Sequence, residues 1–315
     1  MISRHVVAGL SLCALIAASP AVAQEADSCS TVRLSDVGWT DITATTAVTG
    51  QILDGLGYEA DVKILSVPVT FASLANNDLD VFLGNWMPAQ SNDLKKYLDD
   101  GSIVQVHTNL EGAKYTLAVP KYLFDAGLKD FADISKFRDE LDGKIYGIEP
   151  GNDGNSLVIG LIEKDEFDLG DFELVASSEQ GMLSQVARAT RSDEPIVFLG
   201  WAPHPMNSSY EIEYLSGGDD TFGPNYGGAT VYTVTRRGYS EECPNVGKLL
   251  TNLTFDLEME NQIMGAILDD GEDPDDAAEA WLKANPGRLD AWLEGVTTTD
   301  GEEGLPAVKE SLGLS

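Results

Sequence analysis

A chain of 315 residues with 52 acidic and 20 basic side chains, and a formal net charge of −32, offers no basic stripe to neutralise phosphates. Nucleic acid is therefore excluded as a partner. The length is enough to bury a large core, most readily as two lobes. The acidity agrees with a cationic ligand without demanding one, because acidic surfaces also serve solubility and salt screens their field within about 8–10 Å.

The chain opens on Arg4 and His5. An apolar run over 6–18 follows, broken only by Gly9 and Ser11, and then Ala21-Val22-Ala23. This is the layout of a secretory signal peptide cleaved near Ala23, which predicts a periplasmic protein. The run is short for a bilayer span, and no later stretch is long and apolar enough for one. Leu12 stands before Cys13 where a lipid-attachment motif wants a small residue, which argues against a lipoprotein. Beyond residue 23 the chain has two cysteines, Cys29 and Cys243. In an oxidising compartment they suggest one disulfide, with two unpaired thiols as the alternative. A bridge would tie the start of the chain to its last third. Residues 24–112 and 214–315 would then form one lobe, with 113–213 inserted as the second.

The elements follow in a βαβα rhythm. A strand is predicted over 31–37, then a helix over 43–56 with Val48, Ile52 and Leu56 four apart. A strand over 61–67, a helix over 70–77 and a strand over 79–83 come next. Strands over 114–119 and 144–148 precede a helix over 153–167. A strand over 172–176, a helix over 180–190 and a buried strand over 195–199 repeat the pattern. A strand over 229–234 leads into a helical C-terminal region, where Pro286 separates the helices carrying Trp281 and Trp292. The alternation predicts α/β architecture with mostly parallel sheets covered by helices. There is a short internal echo. Val81-Phe82-Leu83-Gly84-Asn85-Trp86-Met87-Pro88 resembles Val197-Phe198-Leu199-Gly200-Trp201-Ala202-Pro203, and one copy falls in each expected lobe.

Ligands of open α/β sheets bind beyond the carboxyl ends of the strands. Trp39, Trp86 and Trp201 each come just past a predicted strand, and Tyr115 stands at the first crossing into the second lobe. Any one of these tryptophans taken alone reads equally well as packing, and Tyr115 is the aromatic with the least support from position alone. Together, four ring faces suit a quaternary ammonium ion, which has no N–H donor and is held by electron-rich rings. Asp41 adds charge, or else caps the helix that follows. Asn152, in Gly151-Asn152-Asp153-Gly154, would fix a polar tail, or is a turn residue. Trp281 and Trp292, on helices, are expected to be packing.

The motifs Gly38-Trp39-Thr40-Asp41, Gly84-Asn85-Trp86-Met87-Pro88, Tyr115-Thr116-Leu117-Ala118-Val119-Pro120, Gly147-Ile148-Glu149-Pro150-Gly151-Asn152 and Gly200-Trp201-Ala202-Pro203-His204 are together similar to those of choline-binding proteins of bacterial ABC importers. Those proteins fall within the glycine betaine and proline betaine binding family. The resemblance implies a type II periplasmic-binding-protein fold, two lobes with a ligand cleft between them. It implies a box of Trp39, Trp86, Tyr115 and Trp201, with Asp41 and Asn152 as polar contacts and a Cys29–Cys243 disulfide. It also implies an ABC permease as partner. No Arg or Lys occurs in the box motifs, and Asp41 would repel a betaine carboxylate, so choline is the expected ligand and acetylcholine a weaker one.

A secreted choline-ester hydrolase would want the same box. It would also need a nucleophile and a base, and no Gly-x-Ser-x-Gly elbow appears. Beyond the leader only His107 and His204 are present; His204, close after Trp201, either lines the cleft or, the preferred reading, is a surface or capping residue. No phosphate loop or metal-ligand spacing appears, and the acidic stretch 269–276 lacks calcium-loop spacing. The expectation is a monomeric binding protein with no catalytic activity, metal or cofactor.

Overall fold

The computed structural model describes residues 27–314. The predicted leader and Cys13 lie outside the described residues. Nine strands form one curled sheet in the order β2-β1-β3-β9-β4-β7-β5-β6, with β8 attached to β4. The first lobe is built on β1 (Thr31–Asp36), β2 (Glu59–Ile64), β3 (Val81–Met87) and β9 (Gly228–Arg236). The second holds β5 (Lys144–Tyr146), β6 (Glu173–Val175), β7 (Phe198–Ala202) and β8 (Ile212–Tyr214). The 18-residue β4 (Ile103–Pro120) runs between them. It pairs with β9 along its first part and with β7 and β8 near its end. Within each lobe β2-β1-β3 and β7-β5-β6 are parallel, and the pairs made by β4 and β9 are antiparallel.

The local reasons are visible in the sequence. β3 reads Val-Phe-Leu-Gly-Asn-Trp with all six residues buried, the near-continuous apolar run of a strand covered on both faces. Helix α1 (Thr40–Gly55) packs against α7 (Leu257–Leu268) and α8 (Pro274–Ala284), burying Ile42, Val48, Ile52 and Leu53. Its threonines survive burial because Thr45 and Thr49 donate back to the carbonyls of Asp41 and Thr45, as such hydroxyls do inside helices. Four other helices complete the covering layers: α2 (Val67–Ala75), α3 (Ser91–Asp99), α4 (Asp153–Glu163) and α5 (Glu179–Ser192). Between β9 and α7 lies α6 (Pro244–Asn252), and α9 (Gly304–Ser311) ends the chain.

The differences from expectation have physical causes. The strand expected over 114–119 is only the end of β4. Residues 103–113 are half-exposed and broken by three register shifts against β9, so bulges hide their alternation. Helix α4 stops at Glu163, four residues short of expectation, because Asp165 takes a left-handed conformation at φ 53°, a common helix stop. The short amphipathic helix α3 had not been anticipated. The expected boundary between residues 213 and 214 falls inside β8, whose partner is the far end of β4.

The disulfide is formed: Cys29 and Cys243 bridge with Cα atoms 5.6 Å apart, and both are buried. Trp281 and Trp292 stack on each other at 6.3 Å. Their indole N–H groups donate to Gln262 and to the Thr254 carbonyl, so both are packing residues.

Candidate functional site

The carboxyl ends of β1 and β3 face those of β5 and β7 across the junction of the lobes. A small cavity lies there, lined by Trp39, Asp41, Trp86, Tyr115, Ile148, Asn152, Asp153 and Trp201. All six residues singled out from the sequence are therefore brought together. Trp39 follows β1 and immediately precedes α1, so Asp41 stands in the first turn of that helix. Trp86 and Trp201 lie inside their strands, each one residue before the end, and not past it as expected. The ladders continue through them, Trp86 opposite Val231 and Trp201 opposite Tyr115. The echo extends to the backbone, since Met87-Pro88 and Ala202-Pro203 are both cis.

The rings meet edge to face. The centroid of Tyr115 lies 6.1 Å from Trp86, 6.4 Å from Trp201 and 6.0 Å from Phe222, within the range of favourable aromatic contacts. A Cβ at position 154 would collide with the Tyr115 phenol, so Gly154 is what lets this ring reach the start of α4.

The polar groups are incompletely satisfied. Asp41 accepts from the Trp86 indole N–H at 3.1 Å through Oδ2, and its Oδ1 has no partner. Asn152 is the N-cap of α4. Its Oδ1 accepts from Asn155 N at 3.1 Å and from the Tyr115 hydroxyl at 2.8 Å, and its Nδ2 has no partner. Both readings of Asn152 thus hold at once: it closes a turn and presents an amide to the cavity. Asp41 is not the N-cap of α1, a place taken by Trp39. Buried polar atoms are ordinarily hydrogen-bonded, so these unpaired atoms are free to meet the polar atoms of a ligand.

Electrostatics agree. Burial, with the Glu179 charge second, pushes the Asp41 carboxyl up to about 8. Burial likewise pushes Asp153 up to about 7. Burial thus shifts each carboxyl toward its neutral form, and a neighbouring cation would favour the carboxylate. Among the described residues no Lys or Arg lines the cavity.

Sequence reasoning missed Ile148 and Asp153. Asp153 had been absorbed into a helix start, and its place beside Asn152 was the available signal. His204 is corrected in part. It does cap, accepting the Met206 N–H at Nδ1, but it is buried at 2% exposure and not on the surface.

A sheet split into two lobes, with parallel strands aiming their carboxyl ends at one enclosed aromatic cavity, defines a two-lobed solute-binding protein. The chain belongs to the family described as the substrate binding domain of ABC-type glycine betaine transport system, whose model matches residues 30–284. That is a family of transport receptors and not of enzymes. The chain is 65% identical to a structure described as an ABC-transporter choline binding protein in complex with choline. The likeness covers 92% of this chain and all of that one, with a TM-score of 0.91. An ABC-transporter choline binding protein in an unliganded semi-closed conformation is also 65% identical. It covers 91% of this chain and all of the other at a TM-score of 0.84. Lactococcal OpuAC in its closed-liganded conformation complexed with glycine betaine is 26% identical, covering 83% and 98% of the two chains at a TM-score of 0.76.

Proposed function

We propose that this chain captures choline outside the cytoplasm, in the periplasm, and delivers it to an ABC permease, with Trp39, Trp86, Tyr115 and Trp201 holding the ammonium group and Asp41, Asn152 and Asp153 facing its hydroxyl. One observation carries the reading: four buried ring faces share a cavity with two carboxylates and no basic residue. A quaternary ammonium cannot be held by N–H bonds, whereas desolvated contacts with ring faces contribute roughly 1–2 kcal/mol each. Four such contacts approach the ~8 kcal/mol of micromolar binding. The orphan Oδ1 of Asp41 and Nδ2 of Asn152 offer one acceptor and one donor, which is what a hydroxyl needs.

Glycine betaine, the ligand in the family's description, would bring a carboxylate to this end. It would meet Asp41 and Asp153 with no cationic side chain in the lining, so the discrimination is testable. Tryptophan fluorescence titration with choline, glycine betaine, carnitine and acetylcholine is expected to rank choline first. A tighter glycine betaine would overturn the substrate assignment. Asp41→Asn is expected to weaken choline roughly ten- to a hundredfold, the loss of one charged hydrogen bond and attraction, and to weaken glycine betaine less. Equal losses would count against Asp41 as the discriminator.

The raised carboxyls make binding pH-dependent, with a definite sign. With no cation beside them Asp41, at about 8, and Asp153, at about 7, are mainly protonated at pH 6. The cation favours their ionised forms, so binding expels protons and affinity rises from pH 6 to pH 9, by roughly tenfold or more. Both groups have folded values above the ordinary one. Their contribution to the stability of the ligand-free protein is complete below the ordinary carboxylate value of about 4, declines above it, and is gone once pH has risen through 7 and 8. The thermal upshift produced by choline should therefore grow with pH. Calorimetry in two buffers of different ionisation enthalpy would register the released protons, and a flat affinity profile would refute this account.

A further inference from the structure

Glu179 opens α5 in the second lobe, yet its carboxylate is seated on the first turn of α1 in the first lobe. It is 1% exposed and takes no part in lining the cavity. Three donors converge on it. The Thr40 backbone N–H donates to Oε2 at 2.9 Å and the Thr40 hydroxyl to Oε1 at 2.7 Å. His204 Nε2 lies 3.1 Å from Oε1. Because His204 Nδ1 already accepts the Met206 N–H at 2.9 Å, Nε2 carries the ring proton and donates. Thr40 lies between Trp39 and Asp41, and the His204 ring packs edge-on against Trp201 at 4.8 Å. The carboxylate thus joins the two walls of the box from behind. A second bond crosses nearby, from the Trp39 indole N–H to Glu149 Oε1 at 2.7 Å.

We propose that Glu179 is a closure latch, a positioning residue that bonds the helix N-terminus of one lobe to the other and so sets the balance between open and closed forms and the residence time of the ligand. The inference rests on reading the cavity as a cation site. Parting the lobes would strip the carboxylate of both Thr40 donors and leave it with His204 alone. A free N–H and a charge-assisted acceptor would then return to water, and closing would restore both bonds away from water, where they are strongest. Anions are also favoured at helix N-termini. The residue type matters because a carboxylate only accepts. A glutamine here would turn an amide donor toward Thr40 or His204. The latch touches no ligand atom, so it acts on how long the closed state lasts and not on which ligand is chosen.

The test uses the full mature chain carrying Glu179→Gln, with Thr40→Val as a second variant that removes one donor only. Spin labels, one per lobe, report interlobe distances without ligand, and stopped-flow tryptophan fluorescence reports choline association and release. Glu179→Gln is expected to shift the ligand-free distances toward the open form. It should speed choline release roughly ten- to a hundredfold with association little changed. Thr40→Val should do the same to a smaller degree, with no further loss in the double variant. Wild-type distances and release rates in both variants would overturn the latch. So would a lower melting temperature of the ligand-free protein with unchanged distances, which would make Glu179 a packing residue of its own lobe. The ligand-free distances do not depend on choline. A wild-type chain that ignores choline would therefore sink the cation-site reading separately.

Discussion

Replacing Trp201 by alanine is expected to weaken choline binding a hundredfold or more. The loss has two parts. One ring face of roughly 1–2 kcal/mol disappears. The hole left by a large ring, 4% exposed in the wild type, also removes support from its neighbours, Tyr115 at 6.4 Å and His204 at 4.8 Å. Truncation of buried aromatic residues costs about 3–5 kcal/mol in protein cores, so a total near 3 kcal/mol of binding is a fair expectation. Trp86→Ala should cost at least as much, because Asp41 loses its indole donor together with the ring. Trp281→Ala, at a ring that packs on Trp292 and bonds Gln262 and does not line the cavity, is the control and should bind normally. Calorimetric titration at 25 °C decides the matter. Affinity within threefold of wild type for both cavity variants would remove the aromatic box as the basis of function.

The second large effect concerns stability and leaves binding untouched. The bridge Cys29–Cys243 spans 214 positions of sequence, and chain-entropy models credit a closed loop of that size with about 5 kcal/mol. Replacing both cysteines by alanine should lower the unfolding free energy in urea by that order and the melting temperature by roughly 10 °C. Choline affinity at 25 °C should not change. Cys29 stands just before β1, and Cys243 lies between β9 and α6, so the bond joins parts of the first lobe and does not cross the cleft. A folded double variant with poor affinity would show instead that the bridge shapes the cavity.

How far the amino-acid sequence reaches is seen in particular residues. Trp39, Trp86 and Trp201 were legible because large rings recur at the ends of apolar runs, a signal that depends on local order alone. Tyr115 had no such signal. Its neighbours in the chain belong to a long, bulged strand, and only its pairing opposite Trp201 and the space left by Gly154 bring it into the box. Asp153 looked like a helix start, and in sequence a helix-start carboxylate and a cavity carboxylate are indistinguishable. Glu179 was invisible for the same reason, one acid among 52 acidic residues, on the exposed-looking first turn of a helix.

The chain's own order of residues made the βαβα alternation legible and pointed to the cysteine pair and to the kind of ligand the rings suit, because hydrophobic period, cysteine count and ring chemistry are properties of neighbours or of the whole composition. Folding alone decided which carboxylates are buried without partners, how one sheet passes between the lobes through β4 and β9, and that Glu179 of one lobe sits on Thr40 of the other. Those facts depend on distances between residues as many as 139 positions apart, and no local pattern encodes such a distance.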